Sequence, residues 1–355
     1  TVALAIILNV FDARDRIDSM TSSGTVSPVS RRAAISMRIN GRHLRNVASA
    51  PSITARSWPC ARILPTSHTE RVGASGRLVE RNTIMIRIAT DSTCDLPPGY
   101  FQDYDITVVP INIQFGTETY EDGVTIDRET FVRKIDEMGI LPTTSQPSAG
   151  QFEQYYEKLI EEGATDIISI HVTSKLSGTY HSAILAQEMM EDRVRIHPFD
   201  SASGSVALGF MSMEASRMGR EGKSVAEILS RMEEIRDQGC LVLTLKDLRY
   251  AQMSGRTGRL QGSLASLLSI KPIVLLDDGL LDVVEKVRTQ NKAIDRLIDI
   301  LAERVGRSGP VNLAAIHAMA PEGGQALLEK AKGIFNCQET FMADLTSSLV
   351  VHFGP

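Results

Sequence analysis

Ser169-Ile-His-Val-Thr-Ser-Lys-Leu-Ser-Gly-Thr-Tyr180 is the stretch from which the rest of the chain is read. Together with Asp166–Ile168 its first half, to Val172, is β-branched and apolar, the composition of a buried strand. Its second half is a hydroxyl-rich turn made of Thr173, Ser174, Ser177, Gly178 and Thr179. A helix is expected from about Tyr180 to Met190. Strand, polar loop and helix N-terminus in that order are the parts of an open α/β sheet, where ligands sit beyond the carboxyl ends of the strands. Free N–H groups at a helix N-terminus favour anions. Ser177 therefore has two readings: a plain N-cap, or a hydroxyl donor to a ligand oxyanion.

Outward from that stretch the same alternation continues. Ile86–Thr90 reads as a strand, followed by Asp91-Ser-Thr-Cys-Asp95 and a Leu-Pro-Pro-Gly helix entry. Ile106–Phe115 reads as the next strand. Asp127 is a suitable N-cap for a helix that ends at Gly139. Ser148 and Gln151 have the spacing of a capping box. Val194–Phe199 is a strand running into a second hydroxyl loop, Asp200-Ser-Ala-Ser203, and Val206–Met218 is apolar on nearly every face, a buried helix. Gly222-Lys-Ser224 resembles the end of a P-loop, but Arg217 stands where that motif needs glycine. Ser224 with Glu227 is better read as a capping box.

Leu241–Leu245 opens a second region. Pro272–Leu276 and Leu281–Val287 around Asp277-Asp-Gly279 form a hairpin. A helix at about 291–304, a strand at Val311–His317 and a helix at about 322–335 follow. The closing Leu349-Val-Val-His-Phe-Gly-Pro355 reads as a strand running into a turn. Ser254-Gly-Arg-Thr-Gly-Arg-Leu-Gln-Gly262 is a basic glycine-rich turn in which Arg256 and Arg259 suit a carboxylate or phosphate; a solvated surface loop fits the spacing equally well.

The chain of 355 residues is long enough for two domains. Its 43% hydrophobic and 23% charged residues are those of a globular protein. A net charge of −5 argues against a general nucleic-acid binder. Cys60, Cys94, Cys240 and Cys337 form no C-x-x-C pair and read as reduced cytosolic thiols, so a cytoplasmic location without a zinc or disulfide framework is expected. No apolar run approaches the ~18 residues of a membrane span.

Residues 1–84 differ from the rest. They hold 12 Arg, no Lys and 5 acids, a net of +7, which leaves −12 for the remainder. Over that length no period of 3.6 or 2 is sustained, and such a composition does not readily bury a core. A transit peptide is one reading. The preferred one is sequence outside the native coding frame, with Met85 as the true start. On either reading residues 1–84 are a disordered or non-native leader and stand outside the fold.

Several stretches together resemble the DegV family: Thr90-Asp-Ser-Thr with Asp95-Leu-Pro, Thr144-Ser-Gln-Pro-Ser148, Ser174-Lys-Leu-Ser-Gly-Thr-Tyr180, Asp200-Ser201, Gly255-Arg256, Ile270-Lys-Pro-Ile273 and His352-x-Gly-Pro355. The resemblance spans residues 85–355, with the motifs in family order. It implies a two-domain α/β fold, residues 85–238 carrying a parallel sheet and residues 239–355 a mixed sheet, with the ligand between them. It further implies a long-chain fatty acid as ligand, no cofactor or metal, and no catalysis by this chain itself. The partner implied is the ATP-binding subunit of a fatty-acid kinase, to which the carboxylate is presented for acyl-phosphate formation. Contact with a membrane is expected only transiently, for ligand exchange, and nucleic acid is not expected. Carried over by motif, Thr144 and Ser177 contact the head group with Ser145 beside them, Arg256 and His352 lie near the carboxylate, and Arg288 resembles a position that docks the kinase.

Two other functions compete. A serine acyl hydrolase would use Ser177, although no G-x-S-x-G elbow is present. A sugar-phosphate or nucleotide binder would use the glycine-rich turn of residues 255–262, although neither a P-loop nor a strand followed by G-x-G-x-x-G is present.

Overall fold

The computed structural model describes residues 2–9, 84–246, 248–257 and 270–354. Arg259 and most of the glycine-rich turn lie outside the described residues, as do residues 10–83.

Strand β1 (Val2–Asn9) comes first in the chain. From Met85 the alternation expected from the sequence appears. Strand β2 (Ile86–Asp91) leads to a short helix α1 (Pro98–Asp103), with proline at its first position, where no N–H is needed. The single strand expected over 106–115 is two strands, β3 (Ile106–Val109) and β4 (Asn112–Phe115). Pro110 lies between them, and a residue without an N–H cannot continue a ladder. β3 pairs in parallel with β2, whereas β4 turns away to pair antiparallel with β5 (Glu118–Glu121) and β6 (Thr143–Ser145).

Helix α2 (Arg128–Met138) begins where Asp127 accepts the Thr130 N–H at 2.8 Å, and it ends at Gly139 with φ 62°. Helix α3 (Ala149–Glu161) carries the expected Ser148–Gln151 capping box. Next come β7 (Asp166–His171), α4 (Thr179–Met189), β8 (Arg195–Asp200), α5 (Val206–Arg220) and α6 (Val225–Gln238), the last capped by Ser224 and Glu227. Strands β3-β2-β7-β8 form a wholly parallel four-stranded sheet, which returns through helices as βαβ units must.

Beyond Gly239 the architecture changes. Strand β9 (Cys240–Thr244), helix α7 (Arg249–Met253), the hairpin β10 (Lys271–Asp277) and β11 (Leu280–Val287), helix α8 (Gln290–Val305), β12 (Pro310–Ala318), α9 (Pro321–Lys332), β13 (Asn336–Asp344) and α10 (Ser347–Phe353) follow. The expected strand at the end of the chain is the helix α10. An apolar run such as Leu349-Val-Val351 does not by itself separate strand from helix. Here all three residues are buried, and the Val350 N–H reaches the Thr346 carbonyl at 3.0 Å.

These strands build a six-stranded mixed sheet in the order β11-β10-β9-β1-β12-β13. The leader expected to stand outside the fold therefore contributes a strand to the middle of a sheet. β1 runs antiparallel to β12 from Val2 opposite Ala318 to Asn9 opposite Val311, and antiparallel to β9 from Ala3 opposite Thr244 to Ile7 opposite Cys240. The physical reason is local. Val2–Leu8 is a short continuous apolar run, a length and composition that suit a strand, and averaging over 84 residues conceals it.

Helix α5 joins the two halves. It packs on β2 and β7 of the parallel sheet and on β1 of the mixed one. Val206–Met213, Ala215 and Ser216 are all buried, so it has no solvent stripe over most of its length. One core cluster accordingly runs from Ile88 and Ile168 through Phe210 to Leu243 and Ile316.

Candidate functional site

Beyond the carboxyl ends of β7 and β8 two hydroxyl-rich loops are tied together. The Thr173 N–H reaches the Ser203 carbonyl at 2.8 Å. Asp200 accepts the N–H groups of Ser174 at 3.2 Å and Ala202 at 2.9 Å. Ala202 and Ser205 hold φ of 47° and 57°, unusual for residues with a Cβ. The hairpin of the mixed sheet closes over the first loop: Thr173 donates to the Gly279 carbonyl at 3.1 Å, and the Lys175 ammonium to that of Asp278 at 2.8 Å.

A third loop arrives from β6. Gly178 lies against Gln146 so closely that a Cβ on it would stand 1.8 Å from the Gln146 side-chain oxygen. A Cβ there would push the end of the Gln146 side chain aside, so glycine at this position lets Gln146 of the Thr144–Ser148 motif lie against the Ser174–Tyr180 motif. Gln146 continues inward to the Ser182 hydroxyl at 3.1 Å.

The fourth component is α10. Gly354, at φ 80°, ends it, and a Cβ there would lie 2.5 Å from the Tyr250 ring of α7. The preceding turn places His352 against the β6 loop, with its Nε2 2.9 Å from the Thr144 hydroxyl. Burial, together with the Arg256 guanidinium, pulls the imidazole down to about 4. It is therefore neutral near pH 7, with one N–H to give. Its Nδ1 is buried without a hydrogen-bond partner. If Thr144 donates to Nε2, the ring N–H is on Nδ1 and is unspent. If Nε2–H donates to Thr144, the threonine hydroxyl proton is unspent. Either way the pair keeps one donor for an acceptor.

Thr144, Ser145, Ser177, Arg256 and His352 all line one cavity, joined by Gln146, Ser203, Ser205 and Ser348. The remaining wall is largely apolar, with Leu176 from the parallel half, Leu241, Leu243, Leu276 and Leu281 from the mixed sheet, and Leu349 from α10. Such a division suits an amphipathic ligand: a buried carboxylate needs hydrogen bonds or a cation, and an alkyl chain needs none. Ser177 is not the N-cap of α4, which is Gly178. Its hydroxyl lies 2.8 Å from that of Thr179 and accepts the Thr179 N–H at 3.3 Å; among the described residues no imidazole or carboxylate bonds to it. Arg288 is exposed on the segment after β11 and does not line the cavity. Gln146 sits inside a motif the sequence had flagged and Ser203 in the second hydroxyl loop, but Ser205 and Ser348 carry no pattern that separates them from ordinary loop and cap serines.

A second hydroxyl–imidazole pair lies elsewhere. Ser169 Oγ is 2.7 Å from His171 Nε2, and His171 Nδ1 is 3.1 Å from Asp91 Oδ2. Tyr156 donates to Ser169 at 2.8 Å, and the Val172 N–H and Thr93 both bond to Asp91. The order Ser-His-Asp is that of a hydrolytic triad, but Ser169, His171 and Asp91 are each 0% exposed and none lines the cavity. It is a satisfied polar network inside the core.

Among the described residues no helix is long and apolar enough to cross a membrane, and no group of three or more His, Cys, Asp or Glu is placed to hold a metal ion.

Comparison with known proteins converges on one family. The DegV family model matches residues 85–355. A DegV domain-containing protein of Halalkalibacterium halodurans is 34% identical over 270 residues, covering 76% of this chain and 92% of the relative. Protein DegV of Bacillus subtilis is 32% identical over 270 residues, covering 76% and 95%. Among solved structures, a DegV lipid binding protein from Thermotoga maritima superimposes with a TM-score of 0.71 at 27% identity, over 77% of this chain and 95% of that one. A DegV family protein from Thermus thermophilus, described for its fatty acid binding, gives 0.70 at 28% over 77% and 96%. The fatty acid binding protein DegV from Bacillus subtilis gives 0.67 at 30% over 76% and 96%.

Proposed function

This chain belongs to the DegV family, and we propose that it binds a long-chain fatty acid with the carboxylate at the Thr144–His352 end of the cavity and the acyl chain along the leucine wall. The observation that carries this reading is the spare donor of the Thr144–His352 pair, beside Arg256, at one end of an otherwise apolar cavity. Hydroxyl, neutral imidazole and guanidinium are donors suited to a carboxylate. Ser177 and Ser145 supply further hydroxyls on the same wall. The relatives described as fatty acid or lipid binding proteins support the ligand class.

The chain itself acts as a carrier in the cytoplasm. It presents the carboxylate to the ATP-binding subunit of a fatty-acid kinase, which forms the acyl phosphate. The absence of a P-loop at Arg217–Ser224 supports that division of labour. Arg288, exposed and away from the cavity, is the position we assign to kinase docking. Mass spectrometry of the organic extract of purified protein tests the ligand class. A long-chain fatty acid near one per chain is expected. A phosphorylated sugar or nucleotide retained instead, with no uptake of added oleate, would overturn the reading.

A further inference from the structure

Helix α10 carries His352 but does not cap itself. Its N-cap residue, Thr346, makes no side-chain cap bond, yet the first N–H groups of a helix need acceptors. Those acceptors come from the far end of the chain. The Thr346 N–H donates to Asp95 at 2.8 Å across 251 residues, and the Ser348 N–H donates to Asp122 at 3.1 Å across 226 residues. Both carboxylates are buried, Asp95 at 1% and Asp122 at 6% exposure. Each is also fixed from behind: Ser205, which opens α5, donates to Asp95, and Ser92 donates to Asp122 at 3.2 Å. Arg128, at the start of α2, completes the arrangement by donating to the Asp344 carboxylate and the Leu345 carbonyl, immediately before the helix.

We infer that Asp95, Asp122 and Arg128 form a clasp that positions His352, fixing the height of α10 along its own axis so that the imidazole meets Thr144. They are positioning residues and touch no ligand. The reasoning is geometric. A helix is a rigid rod with 1.5 Å of rise per residue, so holding Thr346 and Ser348 sets where the side chain one turn later stands. Negative groups at a helix N-terminus are also favoured by its dipole. Two carboxylates buried with so little exposure are expensive unless bonded, and here the helix N–H groups are among the bonds they receive. Burial raises both carboxyls, Asp95 to about 7, while the bonds and the Arg128 charge act in the opposite direction. The clasp links residues of the parallel half to the last helix of the mixed half, so it also sets how the polar end of the cavity is assembled.

The test is the titration of His352 in the ligand-free full-length chain, followed by NMR of isotope-labelled histidine. The charged group beside that ring is Arg256. In the unsubstituted protein His352 should titrate near 4. In Asp95→Ala and Asp122→Ala it should rise toward the ~6.5 of a solvated imidazole. Asp122→Asn, which keeps an acceptor oxygen, should restore most of the original midpoint. Arg128→Met is a milder variant at a half-buried position, retained in case the alanine variants do not fold; it should move the midpoint in the same direction by less. An unchanged His352 midpoint in every folded variant, whatever happens to thermal stability, would reduce these residues to structural support and overturn the inference. Because the readout contains no fatty acid, it is independent of the ligand assignment.

Discussion

The molecule contains the same pair of side chains twice, in two settings. In the parallel half, Ser169 and His171 meet at 2.7 Å, with Asp91 on the second ring nitrogen and zero exposure throughout. At the cavity, Thr144 and His352 meet at 2.9 Å, with no bond to the second nitrogen and Arg256 as the charged neighbour. The first pair spends its donors and acceptors on neighbours in the core; the second retains a donor. Side-chain identity and even a triad-like order therefore do not mark a site. Access and an unspent donor do.

The largest way to break that comparison is to remove the strand that completes the mixed sheet. A chain beginning at Met85 lacks β1, which is hydrogen-bonded on both sides between β9 and β12. Typical domains have only about 5–15 kcal/mol of net stability, so loss of a central strand should abolish the cooperative unfolding transition of the β9–β13 region. Leu241 and Leu243 of the cavity wall would go with it. Hydrogen exchange should show protection lost there and retained in β2 and β7 around the sealed pair. Equal protection in both sheets without residues 1–84 would show that β1 is dispensable.

Next is His171→Ala. It opens a void and leaves Asp91 and Ser169 short of a partner, at an expected cost of about 3–5 kcal/mol in chemical denaturation. Fatty-acid affinity of the folded fraction should not change. A loss of affinity without a loss of stability would place the ligand at the wrong pair.

A smaller effect separates the regions by pH. The carboxyl of Asp95 is raised by burial to about 7 in the folded protein, against ~3.9 for an unfolded chain. Between those values the folded state binds more protons than the unfolded one. Stability from this group is thus fully present below about pH 4 and is lost as pH rises to about 7, a change on the order of a few kcal/mol. Asp122 shifts in the same direction. Urea melts of Asp95→Asn should lack most of that decline, and an identical pH slope in variant and parent would contradict it.

Much of this was legible in the sequence because it is local. Capping boxes at Ser148 and Ser224, the N-cap at Asp127 and the hairpin at Asp278-Gly279 are set within a few residues, and each stands where the pattern placed it. So does the parallel sheet, which is built from contiguous strand–helix units. What the sequence concealed is non-local or ambiguous in period. Strand β1 pairs with residues more than 200 positions away and lies in a segment whose bulk composition is that of a leader. The run Leu349–Val351 suits a buried strand as well as a buried helix. Residues 143–145 are too short and polar to read as a strand and gain their ladder only by lying beside β4. The motifs pointed to Thr144, Ser145, Ser177, Arg256 and His352, which line the cavity, whereas the bond between Thr144 and His352, 208 residues apart, was not legible. The same holds for the bonds from the start of α10 to two buried carboxylates: Asp95 stands in a motif that gives no hint of Thr346, and Asp122 looks like an ordinary loop acid.

The central claim is that the Thr144–His352 pair receives a fatty-acid carboxylate. Its most direct test is oleate affinity, measured alongside ligand-free thermal stability, for the parent chain, Thr144→Val and His352→Ala. A hydrogen bond to a charged group contributes roughly 1.5–3 kcal/mol, so each variant should bind about ten- to a hundredfold more weakly, with a melting temperature close to that of the parent. Parent-like affinity in both variants would contradict the account and put the carboxylate elsewhere in the cavity.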